Sequence, residues 1–139
     1  MKVELKRVND AVHLEASALS STVKVNIDGS PEIGGLGLGV RPMEMVLMAL
    51  ASCSALDLIS ILKKQKQDLV DFSVSVEGER REKIPTVFTK IHMIFTLKGT
   101  INPDKAERAA ELAVKKYCSV HDMLSAGGVE ITYSIQINP

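Results

Sequence analysis

The sequence predicts an α+β fold with antiparallel sheet, and three observations carry that expectation. Strict polar–apolar alternation marks both the beginning and the end of the chain, as half-buried strands require. Between them lie two helical signatures, a proline-led apolar run from Pro42 and an alanine-rich run from Pro103. Strands come in runs separated from helices, which argues against a doubly wound parallel sheet.

The elements follow in order. Val3 and Leu5 alternate with Lys2, Glu4 and Lys6, Asn9-Asp10 supplies a turn, and Val12, Leu14 and Ala16 alternate with His13 and Glu15. Val23, Val25 and Ile27 form a third alternating set, closed by Asp28-Gly29. A glycine-rich loop from Gly29 to Val40 reads as a flexible approach to a helix, with Pro42 in its first turn and its end near Lys64. Phe72, Val74 and Val76 mark a fourth strand, and Val87, Ile91, Met93, Phe95 and Leu97 a longer fifth one. The stretch EGERREKIP between them reads as a charged connection. Asn102-Pro103 starts a second helix, with Ala106, Ala109, Ala110, Ala113 and Tyr117 on one face and Cys118 at its end. SVHDMLSAGG reads as a short helical turn stopped by Gly127-Gly128. Val129, Ile131, Tyr133, Ile135 and Ile137 then alternate in a closing strand. No repeat or linker divides residues 1–139, so a single domain is expected.

Charge and composition exclude several function classes. The 139 residues carry 17 Lys+Arg and 17 Asp+Glu, a formal net charge of zero. A nucleic-acid binder needs a basic excess to neutralise phosphates, and a polybasic membrane-surface protein needs one too. Hydrophobic residues at 45% and charged residues at 24% match a globular domain rather than a disordered one. Two cysteines, and an N-terminus without an apolar signal core, predict a cytoplasmic protein with reduced thiols.

The run from Met43 to Leu62 is long enough to span a bilayer. It holds Glu44 and Asp57, and each acidic residue near mid-bilayer would cost about 2.5–3.5 kcal/mol. A helix buried on nearly all sides within protein fits better. In so small a domain, that predicts a second subunit to cover it.

Two site motifs fail on spacing. In EIGGLGLGVRP the third glycine of a dinucleotide fingerprint is replaced by Val40, and Gly39 is followed by Val40-Arg41 rather than Lys-Ser/Thr. Cys118 and His121 share a helical spacing, but a structural zinc site wants four ligands in close pairs, so no metal is expected. His13 and His92 lie among Lys and Glu on solvated faces.

The cysteines leave alternatives open. Cys53 lies 11 residues beyond Pro42, too deep for the helix dipole to act on it, and Asp57 at i+4 opposes its ionisation. It reads either as a small buried hydrophobe or as a thiol that takes its activating cation from elsewhere.

The segment RPMEMVLMALASCSALDLISILKK resembles the cysteine-bearing helix of the OsmC/Ohr family, and KYCSVHDML resembles that family's second cysteine motif. EIGGLGLG is similar to its approach loop, and the resemblance covers essentially the whole chain. It implies antiparallel sheets with long central helices in an intertwined homodimer. It also implies reduction of organic hydroperoxides, with Cys53 peroxidatic and Cys118 resolving, and an external dithiol reductant of lipoyl type. No cofactor, nucleic acid or membrane partner is implied.

The chain departs from the pattern at two places. Met43 stands where the family's peroxidases carry a glutamate, and Glu44 follows one residue later, about 100° around the helix. The family's arginine on an early hairpin has no counterpart by position, which leaves Arg7 or Arg41 as substitutes. Arg41 and Glu44 are therefore the candidates for thiolate or substrate activation. The alternative function is a non-enzymatic, redox-responsive or apolar-ligand-binding stress protein of the same fold.

Overall fold

The computed structural model describes residues 1–139. The chain forms two compact units, Met1–Val46 and Leu47–Pro139, each described by itself.

In the first unit, β1 (Val3–Arg7), β2 (Leu14–Ala18) and β3 (Val25–Ile27) form an antiparallel meander. Leu5 pairs with Ala16 and Ala16 with Val25, so Val3, Leu5, Leu14, Ala16, Val25 and Ile27 share an apolar face. Lys6 and Glu15 pair on the other face, 3.5 Å apart. Asn9 makes the turn, its Oδ1 accepting from the backbone N–H groups of Ala11 at 3.0 Å and His13 at 3.1 Å.

The glycine loop is held rather than loose. Asp28 is 2% exposed, and its carboxylate accepts from the N–H groups of Gly29 (2.8 Å), Leu36 (3.0 Å) and Leu38 (3.0 Å). Val40 closes the loop, donating to Asn26 O and accepting from Asp28 N–H, both at 3.0 Å. Gly35 is required there, since a Cβ would lie 1.8 Å from Gly29 O. Spacing alone suggested flexibility; one buried carboxylate supplies the order.

Helix α1 spans Pro42–Lys64, as the proline and the apolar run predict. In the second unit it is joined by β4 (Asp68–Arg80), β5 (Phe88–Thr100), α2 (Pro103–Glu111), a π-helical turn (Leu112–Tyr117), α3 (Ser119–Ala126) and β6 (Glu130–Asn138). Leu50, Leu58 and Leu62 of α1 are buried, as are Ile91, Met93, Phe95 and Leu97 of β5 and the α2 alanines 106, 109 and 110. Only one stripe of α1 is buried within the chain, not nearly all sides: Met48 is 49% and Leu56 71% exposed. By length and composition α1 is also able to cross a membrane, with 33% of its most apolar stretch buried.

Three expectations are corrected in this unit. The sheet is mixed: β4 and β5 pair antiparallel, but β5 and β6 pair parallel. The α2–α3 segment makes the return crossover that a parallel pair needs. The fourth strand extends through Arg80, so EGER belongs to it, with Glu77 opposite His92 and Glu79 opposite Lys90. Its apolar pattern disappears because Gly78 occupies the inner face, where a Cβ would meet the Phe88 ring at 2.5 Å. Finally, Tyr117 leaves the alanine face and is 52% exposed. The π turn carries more residues per turn than an α-helix, so position i+4 no longer returns to the same side.

Candidate functional site

Cys53 and Cys118, 65 residues apart in the chain, are brought side by side as free thiols. Cys53 is half-buried on α1, while Cys118 is 2% exposed. Cys118 does not end a helix as predicted but starts one. Its backbone is extended (φ −74°, ψ 104°) and its Sγ caps α3, accepting from His121 N–H at 3.3 Å. The π turn delivers it there, and its thiol points toward the Leu50 carbonyl of α1, with Sγ to O at 4.0 Å.

Burial pushes the Cys118 thiol above its ordinary value, and the neighbouring Cys53 pushes the same way. The Ser54 hydroxyl and the His121 N–H oppose this. Ser54 Oγ is fully buried and near enough to the Cys118 sulfur to favour its anion, without the geometry of a formed hydrogen bond. The His121 ring is mostly covered, and its Nδ1 lies 3.5 Å from Asp122 Oδ1. No Lys or Arg is among the groups acting on Cys118.

The two charged candidates stand at the start of α1. Glu44 Oε1 accepts from the Arg41 backbone N–H at 2.9 Å, the reach-back half of a capping box. Glu44 precedes Cys53 by nine residues, about 13.5 Å of helix rise at ~1.5 Å per residue. The Arg41 guanidinium makes no ion pair. It faces Glu32, whose carboxyl is held low mainly by its own backbone N–H and the Ser30 hydroxyl, and less by Arg41. Arg7 is tied into the first turn, with Nε donating to Ala11 O at 2.7 Å and Nη2 donating to Asp10 O.

His13 bonds Asn26 at 2.9 Å, and His92 bonds Thr132 at 2.6 Å on the polar face of the second sheet. No three His, Cys, Asp or Glu side chains gather in a metal-holding group. Sequence reasoning missed Ser54 and the Leu50 carbonyl. Ser54 was legible only as a polar residue inside an apolar run, a signal that separates a membrane span from a core helix but does not point to a thiol.

The family model described as OsmC-like protein matches residues 35–134. The chain belongs to the OsmC family. It is 48% identical over 97 residues to Protein YhfA of Escherichia coli K12, covering 69% of this chain and 72% of that one. The crystal structure of an OsmC-like protein from Mycoplasma pneumoniae superposes with a TM-score of 0.82 at 13% identity, covering 99% and 96% of the two chains. An organic hydroperoxide resistance protein OsmC from Legionella pneumophila superposes at 0.67 with 20% identity, covering 98% and 97%. The α+β architecture, two three-stranded sheets with three α-helices, is thus the family's fold.

Proposed function

We propose that the chain is a thiol-dependent peroxidase that reduces organic hydroperoxides through Cys53 and Cys118. It serves oxidative stress defence in the cytoplasm and works as a homodimer. The observation that carries this reading is the pairing of a half-buried and a fully buried thiol from distant parts of the chain. Similarity to the organic hydroperoxide resistance protein of Legionella supports the stress role. The exposed apolar side of α1, with Leu56 at 71%, supports a second copy as its cover.

The chemistry follows from the two environments. The accessible Cys53 thiolate attacks the peroxide: an S–O bond forms, the O–O bond breaks, and the alcohol leaves after protonation. The Cys118 sulfur then attacks the Cys53 sulfenic acid, forming S–S and releasing the hydroxyl as water. A dithiol of lipoyl type restores both thiols by exchange and leaves as its disulfide. Arg41 and Glu44 are the proposed activating groups, Glu44 acting by fixing the Arg41 backbone at the cap.

The test mixes reduced protein, a dithiol and cumene hydroperoxide, and follows peroxide loss beside thiol titration. Catalytic consumption is expected from the native chain, none from Cys53→Ser, and one equivalent from Cys118→Ser. Arg41→Met is expected to slow the first step. Stoichiometric consumption by the native chain would overturn the enzyme reading, and a monomer in sedimentation would overturn the dimer.

One observation favours a second reading. The absence of Lys and Arg among the groups acting on Cys118 suits a redox-responsive protein of little turnover. That version predicts oxidation of both thiols by a single equivalent of peroxide, followed by arrest.

A further inference from the structure

Ser54 follows Cys53 on α1 and has no exposed surface. A buried helical serine ordinarily satisfies its hydroxyl by bonding back to the carbonyl four residues earlier, here that of Leu50. Ser54 Oγ makes no such bond and has no partner of normal geometry. The Leu50 carbonyl is met instead by the Cys118 thiol. Ser54 and Cys118 thus converge on one station of α1, and the serine is left with a donor in need of an acceptor.

As a thiol, Cys118 offers its proton toward Leu50 O and accepts from His121 N–H at 3.3 Å. As a thiolate it only accepts, and it then has room for a second donor. We propose that Ser54 donates its hydroxyl hydrogen to the Cys118 thiolate, favouring the reduced anion and speeding its attack on oxidised Cys53. The rate part of this inference rests on the peroxidase reading; the hydrogen bond does not.

In the attack, the Cys118 thiolate supplies the electron pair of the new S–S bond and the Cys53 S–O bond breaks. The departing hydroxide takes from solvent the proton that Cys118 lost on ionising, and leaves as water. The disulfide sulfur is a poor acceptor, so Ser54 is orphaned again in the oxidised state. Where pH exceeds the Cys118 titration and the thiolate is populated, the pair is thereby biased toward reduction. The one titratable group acting on Cys118 is Cys53 from α1; His121 meets it through its backbone N–H, and the His121 ring lies next to Asp122.

The test has one readout independent of peroxide and one that uses it. Thiolate ultraviolet absorbance is followed against pH in Cys53→Ala and in Cys53→Ala/Ser54→Ala, so that Cys118 titrates alone. Loss of Ser54 is expected to raise the Cys118 titration by about one pH unit, with Ser54→Thr restoring it. In the chain with both cysteines, at a pH above the Cys118 titration, Ser54→Ala is expected to make the Cys53–Cys118 disulfide up to about tenfold harder to reduce in dithiothreitol redox buffer, with little change near neutral pH. Its disulfide closure after one equivalent of cumene hydroperoxide, below the Cys118 titration, is expected to slow about threefold, the smaller thiolate fraction being partly offset by its greater nucleophilicity. Removal of a buried orphan hydroxyl leaves the thermal midpoint equal or higher, so a folding defect does not imitate these effects. An unmoved titration overturns the proposal even where peroxide turnover is intact. A native chain that spares the peroxide yet shows the titration shift removes the peroxidase reading and supports the Ser54 bond.

Discussion

Cys118 Sγ lies 4.0 Å from the carbonyl oxygen of Leu50, a residue 68 positions earlier in the chain. This contact seats the thiol inside the core, where ionisation is disfavoured, and stability should therefore depend on alkaline pH. Because burial raises the folded thiol above its ordinary 9.0, the unfolded chain loses its proton first as pH rises. The stabilisation is complete below 9.0 and is lost as pH climbs through the folded value. Urea unfolding from about pH 8 to about pH 10 should show a decline of at most ~1.4 kcal/mol per pH unit from this one proton. Cys118→Ala should remove that part of the slope.

The opposite sign applies to Asp28. Hydrogen bonds from Leu38, then Leu36, with a smaller one from Gly29, hold its carboxyl below the ordinary 3.8. Its contribution is present above 3.8 and is lost as pH falls through the lower folded value. Asp28→Asn should free the Leu36 and Leu38 amides at neutral pH, with hydrogen exchange on the order of tenfold faster. Unchanged protection at these two amides would show that the loop holds itself.

The second helix depends on its cap. Asn102 Oδ1 accepts from Lys105 N–H at 3.1 Å, with Pro103 in the first turn. Asn102→Ala should cost about 1 kcal/mol in urea unfolding, while Asn102→Asp should retain most of it.

Tyr133 donates its hydroxyl to Glu107 Oε1 at 3.1 Å. Burial first, then Glu107, push its ionisation up to about 12. In a Tyr117→Phe chain only Tyr133 titrates, so its phenolate absorbance reads this directly. Glu107→Gln should bring the midpoint partway down toward 10.0, leaving the part due to burial.

Particular residues show what the sequence could reveal. Pro42 and the long apolar run determine the helix they predict, and Asn102-Pro103 caps the next one, because these signals act through local backbone geometry. The parallel pairing of β6 was not legible. Alternation of Val129, Ile131, Tyr133, Ile135 and Ile137 sets which face is buried but is the same read in either direction. Tyr117 was misplaced because a π turn changes the helical period without a signal in composition. Asp28 read as half of a turn dipeptide, since its acceptors are filled by amides up to ten residues away. The cysteine pair was legible only by family resemblance. Spacing along two helices says nothing about their proximity, and the orphan hydroxyl of Ser54 becomes visible only when its surroundings are known.

The crossover between β5 and β6 also bears on the order of events in synthesis. Cys53 emerges from the ribosome well before Cys118, whose position depends on a segment anchored by the final strand. A nascent chain therefore presents one thiol with no neighbour to close upon. The two sulfurs can meet only once the segment between β5 and β6 has been made and its Cys118 packed against α1.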